Sequence, residues 1–417
     1  MLFSFIYNKT VGTVPGVLSY HRFPLFRDSG FYKICTEVQK AGKENPVNEQ
    51  AASEKKVEYV ELIYDLIFVY IIGRNNQLLK SFENGFVAWP AFVTYVLTTL
   101  AIIQIWNYTT YYINIYGKHG VRDHVFMFIN MFLLYFVGEG TRTDWQRFHT
   151  QYHVAWALIL VNIGAQYLIE QKNLDSPGRK HVRTMAAILF SEALIVMADI
   201  PLFQLTGKTW TSPCAILFGM ITVIFLGQKD SGSYVDFPHL SERAMLYVVF
   251  TFGEMIIGIA SYFEGAFTVR STYFALMAFL IVVSLFLTYG IFYDHIIDRE
   301  KKTNGLLYML LHIFIIFAMN NITSGLELMQ KEQIRLVPKM VFLLGSLLLF
   351  FGFLLGLGFG HAKSRCRQYN RLCLMATVIA VVFIILMILF RYNMAVNIAL
   401  TVVFTFSLFA MIYRYAR

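Results

Sequence analysis

From residue 57 onward the chain alternates long apolar runs with short polar breaks. The runs are continuous and about 20 residues long, the length a helix needs to cross a bilayer core of ~30 Å. A membrane barrel would instead show alternating segments of about ten residues. The pattern predicts twelve transmembrane helices, at 58–79, 86–113, 121–140, 150–170, 181–201, 211–227, 242–263, 271–293, 305–327, 338–360, 369–390 and 395–413. Residues 1–56 stand apart as a tail. There Lys9, Arg22, Arg27, Lys33, Lys40, Lys43, Lys55 and Lys56 interleave with Phe23, Phe26, Phe31 and Tyr32. That mixture suits an anionic inner leaflet, and it suits a disordered tail equally well.

Composition agrees with the pattern. Of the 417 residues 57% are hydrophobic and only 15% charged, against about 25% charged in a soluble domain. The mean hydropathy is +0.54. A soluble fold could not cover that much apolar surface. The expected class is therefore an all-α, polytopic membrane bundle: a tail over 1–56, then a transmembrane domain over 57–417 with halves of about 57–235 and 236–417. A weak 6+6 parallel repeat is suggested by the Tyr-rich ends of the second and eighth helices, Tyr111–Tyr116 and Tyr289–Tyr293. Two helices rich in Phe, Ile and Tyr would also look alike without a repeat.

The net charge of +9 is distributed as a membrane protein distributes it. With the N-terminus inside, Lys and Arg split 25 to 9 in favour of the inner side, with Arg74 inside the first span. This places both termini in the cytoplasm and makes the bilayer, not nucleic acid, the partner of the basic residues. Met1–Tyr7 lacks the basic region of a secretory leader. The four cysteines, Cys35, Cys214, Cys366 and Cys373, form no CxxC pair, and neither a disulfide nor a metal-ligand spacing is expected.

The informative positions are polar groups at bilayer depth, where a charge costs at least ~2.5–3.5 kcal/mol. Glu58, Glu61 and Asp65 are spaced by three and four, so they share one helix face, continued by Asn76. Asp65 falls ~12 Å into the first span. Two like charges one turn apart need a proton or a cation between them, which makes either a proton or cation site or an interhelical clamp to an Arg or Tyr. In the seventh span Ser241 suits an N-cap, Arg243 lies low and Glu254 falls near mid-bilayer. Glu61, Asp65 and Glu254 are the expected proton, ion or substrate site. Secondary candidates are Arg243, Asp123, His124, Glu192 and His312, with Asp199 on the face of Glu192. Glu139, His149 and His153 are expected at the interface. No P-loop, GxSxG, dinucleotide fingerprint or HExxH occurs, and no cofactor or catalytic residue is expected.

The stretch Val60-Glu61-Leu62-Ile63-Tyr64-Asp65-Leu66-Ile67-Phe68-Val69 resembles the opening helix of the bacterial low temperature requirement protein A (LtrA) family, Glu-Leu-Phe-Phe-Asp-Leu-Val-Phe-Val. Glu242-Arg243 followed by Gly253-Glu254 resembles that family's Glu-Arg and, ten residues on, Gly-Glu-Ser. The resemblance covers roughly residues 57–410. Met255 stands in place of the Ser, Ile63-Tyr64 in place of Phe-Phe, and the acidic loop before the third helix is reduced to Asp123. The resemblance implies a bacterial inner-membrane protein linked to growth in the cold and supplies no substrate. Three readings follow. A transporter of an unknown small solute or ion, coupled through the intramembrane carboxylates, is the leading one. A membrane-embedded enzyme acting on a lipid or quinone would need a lateral opening beside the acids. A non-transporting scaffold or sensor would have its acids fully paired with Arg or Tyr.

Overall fold

The computed structural model describes residues 55–140, 145–227, 235–263, 268–329, 334–363 and 366–417. Among them are twelve α-helices: α1 Tyr59–Asn75, α2 Trp89–Tyr116, α3 Val121–Gly140, α4 Trp145–Glu170, α5 Ser176–Thr206, α6 Thr211–Thr222, α7 Phe237–Ile259, α8 Val269–Ile291, α9 Leu306–Met329, α10 Leu336–His361, α11 Cys366–Leu389 and α12 Met394–Ala416. Ten are long and apolar enough to cross a membrane; α1 and α6 are the two that are not. Short α1 carries Glu61, Asp65 and Arg74 and continues as a 3-10 turn, Asn76–Lys80. The protein is a multi-pass membrane helical bundle. Of the tail, only Lys55 and Lys56 fall among the described residues.

Several helix starts differ from the sequence expectation, two of them for a visible local reason. The second span begins at Trp89 with Pro90 in its first turn, not at residue 86. Phe82–Glu83 and Phe86–Val87 pair antiparallel instead. Asn84 and Gly85 between them have φ of 52° and 82°, the left-handed conformations that an Asn-Gly hairpin turn requires. The seventh helix begins at Phe237, capped by the Asp236 carboxylate on the His239 N–H, with Pro238 in the first turn. Ser241 is therefore not the cap. Its hydroxyl donates to the Pro238 carbonyl at 2.8 Å, and Asp236 takes the role because the chain turns one helical turn earlier.

Sequential neighbours pack as hairpins along α3–α4–α5–α6, and again as α9–α10 and α11–α12. α1 is held centrally by α2, α3 and α7. Apolar side chains such as Leu194, Phe225, Val341, Leu374 and Ile385 point outward, where acyl chains rather than water solvate them. The buried interior is rich in rings and contains an unusual number of polar groups. Two ends of the bundle matter below. The start of α1, the end of α2 and the starts of α3 and α7 form one; the end of α1 and the starts of α2 and α4 form the other.

Candidate functional site

At the first end, contacts of Lys55 and Asn114 with the backbone assemble the site. Lys55 Nζ donates to the carbonyls of Ile113, Asn114 (3.3 Å) and Gly117 (2.8 Å), closing the C-terminus of α2. Asn114 Oδ1 accepts from the Asp236 N–H (3.1 Å) and Asn114 Nδ2 donates to the Asp236 carbonyl (2.8 Å), which ties α2 to the start of α7. The loop to α3 passes through His119, whose φ is 52°. Burial holds the His119 imidazole below its ordinary pKa, against the upward pull of Glu61 and Glu58. Burial likewise holds the Lys55 ammonium below its usual range.

Inside this frame, Arg243 of α7 reaches both acids of α1. Its Nε and Nη2 donate to Asp65 Oδ2 and Oδ1 at 3.2 and 2.5 Å, and its Nη1 donates to Glu61 Oε2. Trp106 of α2 donates its indole N–H to Asp65 Oδ1 at 2.8 Å. All four side chains are shut away from solvent. A fork of guanidinium donors over two carboxylates is the arrangement in which buried charge is tolerated. The shared face of Glu61 and Asp65 thus acquires the cation that the i,i+4 spacing demands, and the cation comes from a helix far along the chain.

The cluster is connected outward by histidines. His119 Nδ1 lies 3.5 Å from Glu61 Oε1 and 3.4 Å from Glu58 Oε2; His124 Nε2 lies 3.4 Å from Glu58 Oε2. Side-chain exposure falls from 34% at Glu58 through 20% at His119 to 1% at Glu61. His239 Nε2 stands 3.6 Å from Glu61 Oε2. Its tautomer is determined by the backbone. Because Asn114 Oδ1 is committed to the Asp236 N–H, Asn114 Nδ2 donates to His239 Nδ1 at 3.0 Å, and the imidazole proton therefore sits on Nε2, towards Glu61. His239 also forms part of the wall of a cavity of about 730 Å³ lined by Lys55, Glu242, Asp294, Arg299 and Lys363 among others.

The remaining candidates lie elsewhere. Glu254 is not brought to the cluster. It sits eleven residues beyond Arg243 on α7, ~16 Å along the axis, half-buried against Gly73 of α1, and it makes no hydrogen bond or ion pair among the described residues. Asp123 accepts from the Lys118 N–H (2.8 Å) and pairs with Arg122 (3.0 Å), so it fastens the start of α3. His124 faces Glu58. Glu192 is fully buried and accepts from the Tyr108 hydroxyl at 2.7 Å, with Gly219 of α6 pressed against the pair. His312 donates from Nδ1 to the Tyr308 carbonyl (2.8 Å) and accepts on Nε2 from the Tyr289 hydroxyl (3.0 Å), a tie between α8 and α9.

His149 and His153, expected at the membrane interface, are packed inside the bundle. Both are buried, at 1% and 0% exposure, beside Asp199 of α5. Their i,i+4 spacing was visible in the chain; that α5 delivers a carboxylate between them was not. His119, His239 and Trp106 also went unmarked in the sequence, because each acquires its role only by meeting α1.

The profile of the bacterial low temperature requirement A protein (LtrA) matches residues 56–407. No curated protein and no solved structure matches the chain. Glu61 and Asp65 on α1 and Arg243 on α7, the pair of segments that carries the family resemblance, are the residues that meet in the buried cluster. The chain belongs to the bacterial low temperature requirement A (LtrA) family.

Proposed function

We propose that this protein is a proton-coupled transporter of a small polar solute in the bacterial inner membrane, with both termini and the large cavity on the cytoplasmic side. The observation that carries the reading is the double position of His239: one wall of the 730 Å³ cavity and, 3.6 Å away, the neighbour of Glu61. Glu61 and Asp65 carry two negative charges against the single charge of Arg243. A proton arriving on His119 makes the cluster neutral, and its departure restores the imbalance. That gives a bundle of packed helices two charge states, which is what coupling to a proton gradient needs. The cavity presents both signs of charge, Lys55, Arg299 and Lys363 beside Glu242 and Asp294, which suits a polar or zwitterionic solute. The 25-to-9 distribution of Lys and Arg supports the orientation.

The pairing of both acids with Arg243 favours a second reading, a non-transporting scaffold or sensor. Purified protein in proteoliposomes separates the two. Internal pH is followed with a trapped dye under an imposed proton gradient and a supplied metabolite pool. Flux in the wild type that is lost in Glu61→Gln and His239→Gln supports transport through this cluster. Wild-type flux equal to empty liposomes, from protein with its full helix content, refutes transport and leaves the second reading.

A further inference from the structure

At the other end of the bundle, we infer that His149, His153 and Asp199 form a binding site for one divalent transition-metal ion of the zinc class. The inference does not depend on the transport reading. The histidines lie one turn apart on α4, so their rings share a face, with centroids 4.0 Å apart. α5 places Asp199 against them. Asp199 Oδ2 is 3.0 Å from His149 Nε2 and 3.1 Å from His153 Nε2, and the three donor atoms all lie within 4.8 Å of one another. Zinc bonds of ~2.0–2.1 Å in tetrahedral geometry separate neighbouring ligand atoms by about 3.3 Å, so small shifts admit the ion.

The surroundings prepare the donors. His153 Nδ1 donates to the His149 carbonyl at 2.7 Å, which leaves the Nε2 lone pair facing the carboxylate. Two lone-pair donors 3.1 Å apart repel unless a cation or a second proton lies between them. Asp199 Oδ1 accepts from both the N–H and the hydroxyl of Thr211 at 2.7 Å, which fixes the carboxylate and leaves Oδ2 for the ion. Stacking on Phe203, with centroids 3.7 Å apart and planes at 9°, fixes the His149 ring. Such outer partners are what a metal site needs to hold its ligands. The Ser212 hydroxyl lies 2.7 Å from His153 Nε2 and 3.2 Å from Asp199 Oδ2, beside the three donors. Ser212 also lines a cavity of about 440 Å³ with Trp89, Trp145, Tyr152, Phe203 and Lys208, which supplies a route to the donors. Two imidazoles and one carboxylate favour zinc, iron or a neighbouring ion over magnesium or calcium.

The test uses the full chain in detergent, stripped with chelator and dialysed. Zinc binding is measured by calorimetry and by metal content after desalting, and cobalt is used as a spectroscopic probe. One zinc per chain is expected. Bound cobalt should give the intense visible bands of a four-coordinate nitrogen–oxygen site, and zinc should displace it. Asp199→Asn and His149→Gln should each weaken zinc binding at least tenfold, in line with the effect of losing even an outer partner. Helix content by circular dichroism shows that each variant is folded. No stoichiometric zinc in the folded wild type overturns the site, as does a six-coordinate cobalt spectrum. Equal affinity in a folded His149→Gln variant also overturns it, and if Asp199→Asn does not fold, the wild-type spectrum and His149→Gln decide.

Discussion

Replacing Arg243 by Met removes the only guanidinium among the described residues that pairs with Glu61 and Asp65, while keeping a long apolar stem in its place. Arg243 is fully buried and donates three hydrogen bonds, two to Asp65 and one to Glu61. In the variant Asp65 keeps the Trp106 indole at 2.8 Å, and among the described residues Glu61 keeps His239 and His119 at 3.6 and 3.5 Å, too far for strong hydrogen bonds. Removing one partner of a buried pair costs about 3–5 kcal/mol, because the charge left behind is uncompensated. That corresponds to roughly a 10²- to 10⁴-fold change in the unfolding equilibrium. The assay is reversible unfolding in mixed micelles of denaturing and mild detergent, read by tryptophan fluorescence. A triple variant, Arg243→Met with Glu61→Gln and Asp65→Asn, carries no buried charge at the cluster. It should recover all but about 1–2 kcal/mol of the loss, the cost of imperfectly satisfied amides. A single variant that costs under about 1 kcal/mol, or a triple variant no more stable than the single, would refute the reasoning. Either result would mean that the three side chains are not energetically coupled.

Other expectations follow from the same geometry. A Cβ on Gly219 would overlap Tyr108, Gln104 and Glu192, so Gly219→Ala should destabilise by about 1–3 kcal/mol in the same micelle assay. Lys55→Met should loosen the end of α2 by roughly 0.3–1 kcal/mol, seen as faster amide exchange at 113–117. His119 has a lower pKa folded than unfolded, so the unfolded chain binds more protons and stability falls as pH drops through the ordinary imidazole range, about 6.5 downward. His119→Asn, which keeps a residue tolerant of positive φ, should flatten that slope between about pH 7 and 5; an unchanged slope would exclude His119 as its source.

How far the chain could be read is clearest at particular residues. Glu61 and Asp65 on one face are a statement about helical period, and period is local, so the acids of α1 were visible before any fold was known. Arg243 was visible as a buried cation, but not as their partner. The pairing spans 178 and 182 residues, and nothing in hydropathy says which helix packs against which. Glu254 shows the converse: shared chemistry grouped it with the α1 acids, and the structure places it farther along α7, against Gly73 of α1. His149 and His153 looked interfacial because distance from a span's edge was the only measure of depth. Their burial in the bundle came from Asp199, Ser212, Phe203 and Trp145 packing around the rings.

What the sequence determined by itself is therefore the class and the chemistry on offer. Continuous apolar runs can be solvated only by lipid, and charges within them must face inward, because leaving them in hydrocarbon is too costly. What only the tertiary structure decided is which inward faces meet. Asn114 sets the His239 tautomer, Arg243 answers two acids from another helix, and α5 carries Asp199 to a pair of histidines on α4. Those meetings depend on packing between helices whose lipid-facing and core-facing residues are equally apolar, and hydrophobicity alone carries no information about that choice.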